Sequence, residues 1–279
     1  MTDPAPLLVV DGDNFAHRAY HGLPKTLRRK GGRPAGALIG FANFLLRFWE
    51  TERPRAVLVG FDTLDAPTYR QELFPDYQGG RVFDDDLVEQ LALLPELVAA
   101  FGFAHAKAPG YEADDFLAAA ATQEAARGGR ALVASGDRDA FQLASEAITI
   151  LHPVKAGEVA RIGPAEVRER YGVEPHQVPD FIALRGDPSD RLPGARGVGP
   201  VGAAALLKKY PDLEAAFADG RHAAQADALR IYRHIATMDR TAPLPDLADR
   251  TPTWDRAARL ARDWELYRLA ERLDQLAGS

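Results

Sequence analysis

Fully apolar runs and amphipathic stretches alternate along the first half of the chain. Leu7-Leu8-Val9-Val10 is apolar at every position, as expected of a strand buried on both faces of a parallel sheet. Ala56-Val57-Leu58-Val59-Gly60-Phe61 and Ala131-Leu132-Val133-Ala134 repeat that pattern, and Ile148-Thr149-Ile150-Leu151 is a shorter version of it. Helices are predicted between them, over residues 14–20 and 37–49, over 87–101 with an interruption or restart at Pro95, and in the Ala-rich run Phe116-Leu117-Ala118-Ala119-Ala120-Ala121. Strands alternating with helices predict an α/β fold on a parallel sheet. From Gly163 onward the pattern turns helical, most clearly over residues 203–209 and 256–276. The predicted division is an α/β core over residues 1–172 and a helical subdomain over 173–279. No fixed-period repeat is present.

The polar positions add the chemistry. Three of the predicted strands run into acids: Asp11, Asp62, and the pair Asp137 and Asp139. In open α/β sheets, ligands bind beyond the carboxyl ends of the strands, so these acids converge where a site is expected. A further group, Gly110-Tyr111-Glu112-Ala113-Asp114-Asp115, puts three carboxylates in four residues at the start of the Ala-rich helix. One acid there complements the helix dipole. Three repel one another unless they are solvated or a cation neutralises them. Alone, the group would read as a solvated helix start; the repetition at other strand ends favours a cation. Asp187 and Asp190 in Gly186-Asp187-Pro188-Ser189-Asp190 can share a face if that segment turns helically.

The chain has 279 residues, 46% hydrophobic, enough for a large core. No apolar run is long enough to span a membrane, the start Met-Thr-Asp-Pro-Ala-Pro lacks a secretory pattern, and there is no Cys. A soluble, cytoplasmic monomer is the expectation, and Cys-ligated zinc, disulfides and Cys nucleophiles are excluded. Acids without accompanying His or Cys point to Mg²⁺ or Mn²⁺. Nine acids exceed the needs of one ion, and two ions about 4 Å apart are the usual device for in-line phosphodiester cleavage. The formal net charge is −6, but setting aside the nine acids leaves the remainder at +3, so DNA remains an admissible partner.

Basic and glycine-bearing segments fit that partner. Lys25, Arg28, Arg29, Lys30 and Arg33 lie within nine residues and suit phosphate contact. Arg196-Gly197-Val198-Gly199-Pro200-Val201-Gly202 opens the helix that ends in Lys208 and Lys209. A Gly-x-Gly turn at a helix start presents backbone N–H groups that bind phosphate without reading sequence. Arg18, Arg70, Arg196, Gly197, Val198, Gly199, Gly202, Lys208 and Lys209 are the candidate DNA contacts.

Taken together, Val10-Asp11-Gly12, Phe61-Asp62, Gly110 to Asp115, Ser135-Gly136-Asp137-Arg138-Asp139 and Gly186 to Asp190 resemble, in order, the motifs of the bacterial 5′ nucleases. That family includes phage 5′ exonucleases and the nuclease domain of DNA polymerase I, with flap endonucleases more distant. The resemblance covers about residues 7–213. It implies a PIN-like parallel-sheet core and a metal-dependent 5′-3′ exonuclease and flap endonuclease acting on DNA with 5′ flaps, nicks or branched ends. Asp11, Asp62, Glu112 and Asp114 would lie mainly around one metal, and Asp115, Asp137, Asp139, Asp187 and Asp190 around the other. Residues 194–202 would belong to a helix–three-turn–helix element gripping the duplex, with a possible K⁺ on its turn carbonyls. Residues 63–101 would form or border an arch, where Tyr77 stacks a base and Arg81 stabilises phosphate.

This chain departs from the family pattern at three positions. Gln78 stands where Lys is common, Arg191 where Asn usually follows the last Asp, and Asp13 where the residue is normally neutral; Asp13 reads as solvated. The chain ends at Ser279 with no polymerase domain, as a free-standing nuclease or a piece of something longer. Two alternatives stand beside the nuclease. Asp11-Gly12-Asp13-Asn14 resembles the nucleophile motif of haloacid-dehalogenase phosphatases, which would need Gly186-Asp187 at a strand end. Gln78 and Arg191 would also suit a catalytically weak DNA-structure binder of the same fold.

Overall fold

A computed structural model describes residues 4–63, 66–80, 83–154 and 157–278. Strand β1 (Leu7–Asp11) leads through helix α1 (Gly12–Gly22) and a small ribbon, β2 (Arg28–Arg29) with β3 (Arg33–Pro34), to α2 (Gly36–Glu52) and β4 (Ala56–Gly60). Next come α3 (Tyr69–Leu73), α4 (Asp85–Ala100), β5 (Ala104–Ala106), α5 (Ala113–Ala126) and β6 (Ala131–Ala134). Then β7 (Ile148–Pro153) and β8 (Val159–Ile162) complete the sheet. Helices α6 (Pro164–Tyr171), α7 (Val178–Arg185), α8 (Pro200–Lys209), α9 (Leu213–Ala218), α10 (Ala226–Ala236), α11 (Trp254–Asp263) and α12 (Tyr267–Ala277) follow.

The sheet order is β5-β4-β1-β6-β7-β8, parallel except for β8. β1 lies at the switch point: β4 pairs on one side of it and β6 on the other, both in parallel. The carboxyl ends of these three strands therefore open onto one edge, which brings Asp11, Asp62 and the 135–139 loop together. Alternate side chains of β1 enter two cores. Leu7 and Val9 pack with residues of α5, α7, α8 and α10, whereas Leu8 and Val10 pack with those of α1, α2, α4, α11 and α12. Each Leu or Val so buried contributes about 1.5–3 kcal/mol relative to exposure.

Gly60 at the end of β4 allows close approach of the sheet to the start of α5. A Cβ on Gly60 would come within 2.7 Å of the Ala113 carbonyl, so Gly60 lets β4 pass directly beneath the helix start that carries the acids. α4 continues through Pro95 instead of breaking there. Leu91, Leu94, Leu97 and Val98 are all buried around it, and that burial offsets the roughly 3 kcal/mol a helical proline costs. β5 and α3 were not expected, the first being only Ala-His-Ala and the second lying in a polar stretch.

The predicted helical subdomain over 173–279 is divided between the faces of the sheet. Helices α7 to α10 build on one face, but the chain then crosses beneath β4, where the Arg250 amide donates to the Arg55 carbonyl. Trp254 enters the opposite core beside Trp49, Phe101 and Phe103, at ring-centroid distances of 4.9, 5.7 and 5.8 Å. α11 and α12 therefore complete the α/β core. Among the described residues no helix is long and apolar enough to cross a membrane.

Candidate metal centre

Seven of the nine predicted acids line one cleft of about 310 Å³ at the carboxyl edge of the sheet: Asp11, Asp62, Glu112, Asp114, Asp137, Asp139 and Asp190. Asp11 ends β1 and caps α1, accepting from the Asn14 amide and the Ser135 hydroxyl, both at 3.0 Å. Asp62, two residues beyond β4, accepts from the Ala113 amide at 2.7 Å and is thereby held at the start of α5. Glu112 caps α5 and accepts from the Thr68 and Tyr77 hydroxyls at 3.1 and 3.0 Å. Asp137 and Asp139 are set by a tight turn in which the Ser135 hydroxyl accepts from the Asp137 amide and Asp137 from the Asp139 amide.

Burial and crowding raise the cost of ionising these groups. Desolvation, followed by the Asp62 and Asp137 charges, pushes Asp11 up to about 7. Desolvation likewise lifts Glu112 to about 7, although Arg70 opposes it. Asp114 and Asp139 rise well above the usual carboxylate range, again through desolvation and then through neighbouring aspartates. Asp114 Oδ1 is shut off from solvent and has no hydrogen-bond partner among the described residues. An all-oxygen donor set with an orphaned buried carboxylate oxygen fits a hard divalent cation. Among the described residues, no three of these acids converge tightly enough to ligate one ion as they stand. They ring the cleft, and the fit rests on donor chemistry and the orphaned oxygen.

Asp115 and Asp187 do not line the cleft. Asp115 is fully buried, and both its oxygens are engaged: Arg70 donates to them at 2.7 and 2.8 Å, the Glu112 amide at 3.0 Å and the Asp239 amide at 2.8 Å. That saturation removes Asp115 from the expected ligand set in this arrangement. Asp187 is held by Arg185 at 3.1 Å and by the Ser189 amide, behind Asp139, whose ionisation its charge opposes. Asp13, expected to be solvated, is buried on the cleft wall and accepts from the Asp62 amide at 2.8 Å. Ser135 and Asn14 were missed as positioning groups. Ser135 belongs to the Ser-Gly-Asp-Arg-Asp motif, and Asn14, which accepts from the Gly136 amide, closes the Asp-Gly-Asp-Asn run.

The expected DNA contacts divide as well. Arg70 is buried and donates to the carbonyls of Ile235 and Thr237 besides its pair with Asp115, so it is a clasp and not a DNA contact. Tyr77 is only 4% exposed and its hydroxyl donates to Glu112, which leaves no open ring face for stacking a base. Arg81 lies outside the described residues. In the basic loop, Arg29 and Arg33 pair with Glu89, and Lys25 sits 3.0 Å above the Tyr20 ring; Arg28 and Lys30 remain exposed. Arg18 is exposed on α1. Arg196, Gly197, Gly199, Val201 and Gly202 are exposed around the start of α8, with Val198 half-buried and Gly197 at φ 76°. Lys208 and Lys209 are exposed at its end, although Lys209 donates to the Tyr210 hydroxyl at 2.7 Å. The phosphatase alternative needed Gly186-Asp187 at a strand end; they follow α7.

The arrangement has counterparts among known proteins. DNA polymerase I of Mycobacterium bovis is 37% identical over 290 residues, which covers 98% of this chain and 32% of that protein. The thermostable DNA polymerase I of Thermus aquaticus is 42% identical over 210 residues, covering 75% of this chain and 24% of that one. The chain thus spans about a third of the length of these polymerases or less. In fold it matches the T5 5′-exonuclease solved with divalent metal ions (zinc) bound, with a TM-score of 0.69 at 17% identity, over 98% of this chain and 99% of the other. It also matches the catalytic core of Rad2 in complex with DNA substrate, with a TM-score of 0.61 at 15% identity, over 97% and 92% of the two chains. Residues 6–172 match the 5′-3′ exonuclease N-terminal resolvase-like domain, and residues 173–257 match the 5′-3′ exonuclease C-terminal SAM fold. With both domains present in order, the chain belongs to the 5′-3′ exonuclease family.

Proposed function

We propose that this protein is a divalent-metal-dependent 5′ nuclease that hydrolyses phosphodiester bonds at the 5′ ends and flaps of branched DNA. The observation that carries this is the cleft of eight acids, seven of them predicted, around Asp114, whose buried Oδ1 has no donor among the described residues. Asp11, Asp62, Glu112 and Asp114 would hold one ion, and Asp137, Asp139 and Asp190, backed by Asp187, the other. Two ions of Mg²⁺ or Mn²⁺, when bound, supply an activated water and stabilise the leaving oxygen. The chain's own part is to hold these carboxylates in place: Ser135 and the Asn14 amide fix Asp11, the Ala113 amide fixes Asp62, and Thr68 and Tyr77 fix Glu112. In-line attack by water would leave a 5′ phosphate and a 3′ hydroxyl.

The exposed turn before α8, with Arg196 and Lys208, would hold the duplex backbone, with K⁺ on its turn carbonyls as part of the same reading. The T5 flap endonuclease has been solved in a complex with DNA and metal ions, at a TM-score of 0.70 to this chain, which supports the choice of partner. Action as a monomer is part of the same reading, and the Cys-free composition is compatible with a cytoplasmic setting. Cleavage of end-labelled 5′-flap, nicked and single-stranded DNA in Mg²⁺, Mn²⁺ or chelator tests the proposal. Metal-dependent cuts near the flap junction are expected; absence of cleavage with either metal would overturn it.

A further inference from the structure

Two of the departures in the sequence, Gln78 and Arg191, meet in space. Both have left-handed backbones, with φ of 50° and 59°, a conformation that non-glycine residues seldom adopt. The two turns are locked together: the Gln78 amide N–H donates to the Asp190 carbonyl at 3.3 Å, and the Gln78 side-chain amide donates to Asp190 Oδ1 at 3.1 Å and to the Tyr77 hydroxyl at 2.8 Å. The next residue after Asp190 is Arg191, and its side chain lies across Gly79 and Gly80. A Cβ on Gly79 would stand 3.1 Å from Nη1, and one on Gly80 would stand 3.0 Å from Nη2. Side chains at either position would crowd the guanidinium, so two consecutive glycines leave it a seat.

The seat is at the edge of the acid cleft. Gln78 and Asp190 line that cleft, and Gln78, Gly79 and Gly80 also line a neighbouring hollow of about 580 Å³ that shares Asp62, Tyr77 and Glu112 with it. Arg191 is exposed, and among the described residues its guanidinium forms no ion pair. A neutral amide at 78 already satisfies Asp190 Oδ1 from this side, so Arg191 does not neutralise that oxygen. An unpaired guanidinium, seated on glycine backbone beside a cleft full of carboxylates, is suited to a planar bidentate contact with phosphate.

We propose that Arg191 is a substrate-contacting residue that binds a backbone phosphate of the DNA strand where it passes from the hollow into the acid cleft. It restores at 191 the positive charge that a Lys at 78 would have placed on this rim. This rests on the nuclease reading for its substrate, but its first test does not need cleavage.

The experiment measures binding of a fluorescent 5′-flap oligonucleotide in Ca²⁺ at several salt concentrations, for wild type, Arg191→Gln and Arg191→Lys. Arg191→Gln keeps the length and removes the charge; it should lower the slope of log K against log salt by about 0.9, the loss of one phosphate contact. Arg191→Lys should keep the wild-type slope. In Mg²⁺, Arg191→Gln should lose roughly tenfold to a hundredfold in kcat/KM, and adding Gln78→Lys should recover part of that loss. An unchanged slope in Arg191→Gln, or a slope in Arg191→Lys lowered as far as in Arg191→Gln, would overturn the proposal, because the slope follows charge and a packing role does not. If wild type binds but does not cut, the nuclease reading fails while the slope still decides the role of Arg191.

Discussion

On one side of the first turn of α5, Arg70 reaches both oxygens of Asp115, and two backbone amides complete the set of donors. On the other side, one residue earlier in the chain, Asp114 turns into a cleft where Oδ1 has no donor and the neighbouring charges are other aspartates. The paired side ties three pieces together: Arg70 from α3, Asp115 from α5, and the carbonyls of Ile235 and Thr237 at the end of α10. The unpaired side costs stability. Proteins tolerate such a local conflict where it serves a site, and the saturated clasp beside it keeps the unsatisfied carboxylate in position.

The largest effect should come from the unpaired side. Asp114→Asn and Asp137→Asn should each lower the cleavage rate of a 5′-flap substrate by roughly 10⁴-fold, about 5.5 kcal/mol in activation free energy, while flap binding changes far less. Wild-type-like turnover in both would remove the acids from the chemistry. Next in size is the paired side. Arg70→Met leaves Asp115 buried without its partner and should destabilise the fold by about 3–5 kcal/mol in urea unfolding, whereas Arg70→Met with Asp115→Leu should recover much of that. If the single and double variants unfold alike, the pair is not a clasp.

Asp180 on α7 sits between these extremes. One oxygen accepts from the Leu213 amide at 3.3 Å, while the other has no hydrogen bond and lies 3.8 Å from Arg233. Burial, opposed by Arg233, lifts Asp180 from the usual 3.8 to about 6. The native state therefore holds this proton more tightly than the unfolded chain does. Its contribution is fully present below about pH 4 and is lost as pH rises through about 6, by at most about 3 kcal/mol. Unfolding free energies from pH 4 to 7 should show this loss in wild type and a flatter profile in Asp180→Asn. The smallest effect belongs to the rim lysines: Lys208→Ala with Lys209→Ala should lower the salt slope of duplex binding by less than about 2. Most of that should come from Lys208, since Lys209 is already engaged with Tyr210 and Asp219.

The strands β1, β4 and β6 were legible because burial on both faces leaves nearly every position apolar, and β7 because Ile148, Ile150 and Leu151 are apolar around a single Thr149. β5 was not, since Ala104-His105-Ala106 carries an exposed His between two small residues. The convergence of Asp11, Asp62 and Asp137 was legible from strand ends alone. The contrast between Asp114 and Asp115 was not: it depends on Arg70, 45 residues from Asp115 in the chain, and on a carbonyl of α10 165 residues from Arg70. The same limit hid the burial of Asp13 under the Asp62 amide and the return of α11 and α12, with Trp254 beside Trp49, to the far face of the sheet.

The central claim is that the cleft carboxylates around Asp114 are held for divalent ions. It is tested most directly by thermal unfolding of wild type and Asp114→Asn across a MgCl₂ titration, starting from chelator. In chelator, Asp114→Asn should melt at or above the wild-type temperature, because it removes a carboxyl whose ionisation burial and the neighbouring aspartates oppose. As Mg²⁺ rises, the wild type should gain stability according to ligand linkage, and the variant should gain much less. Equal responses to Mg²⁺ in both proteins, or a variant markedly less stable in chelator, would contradict the account.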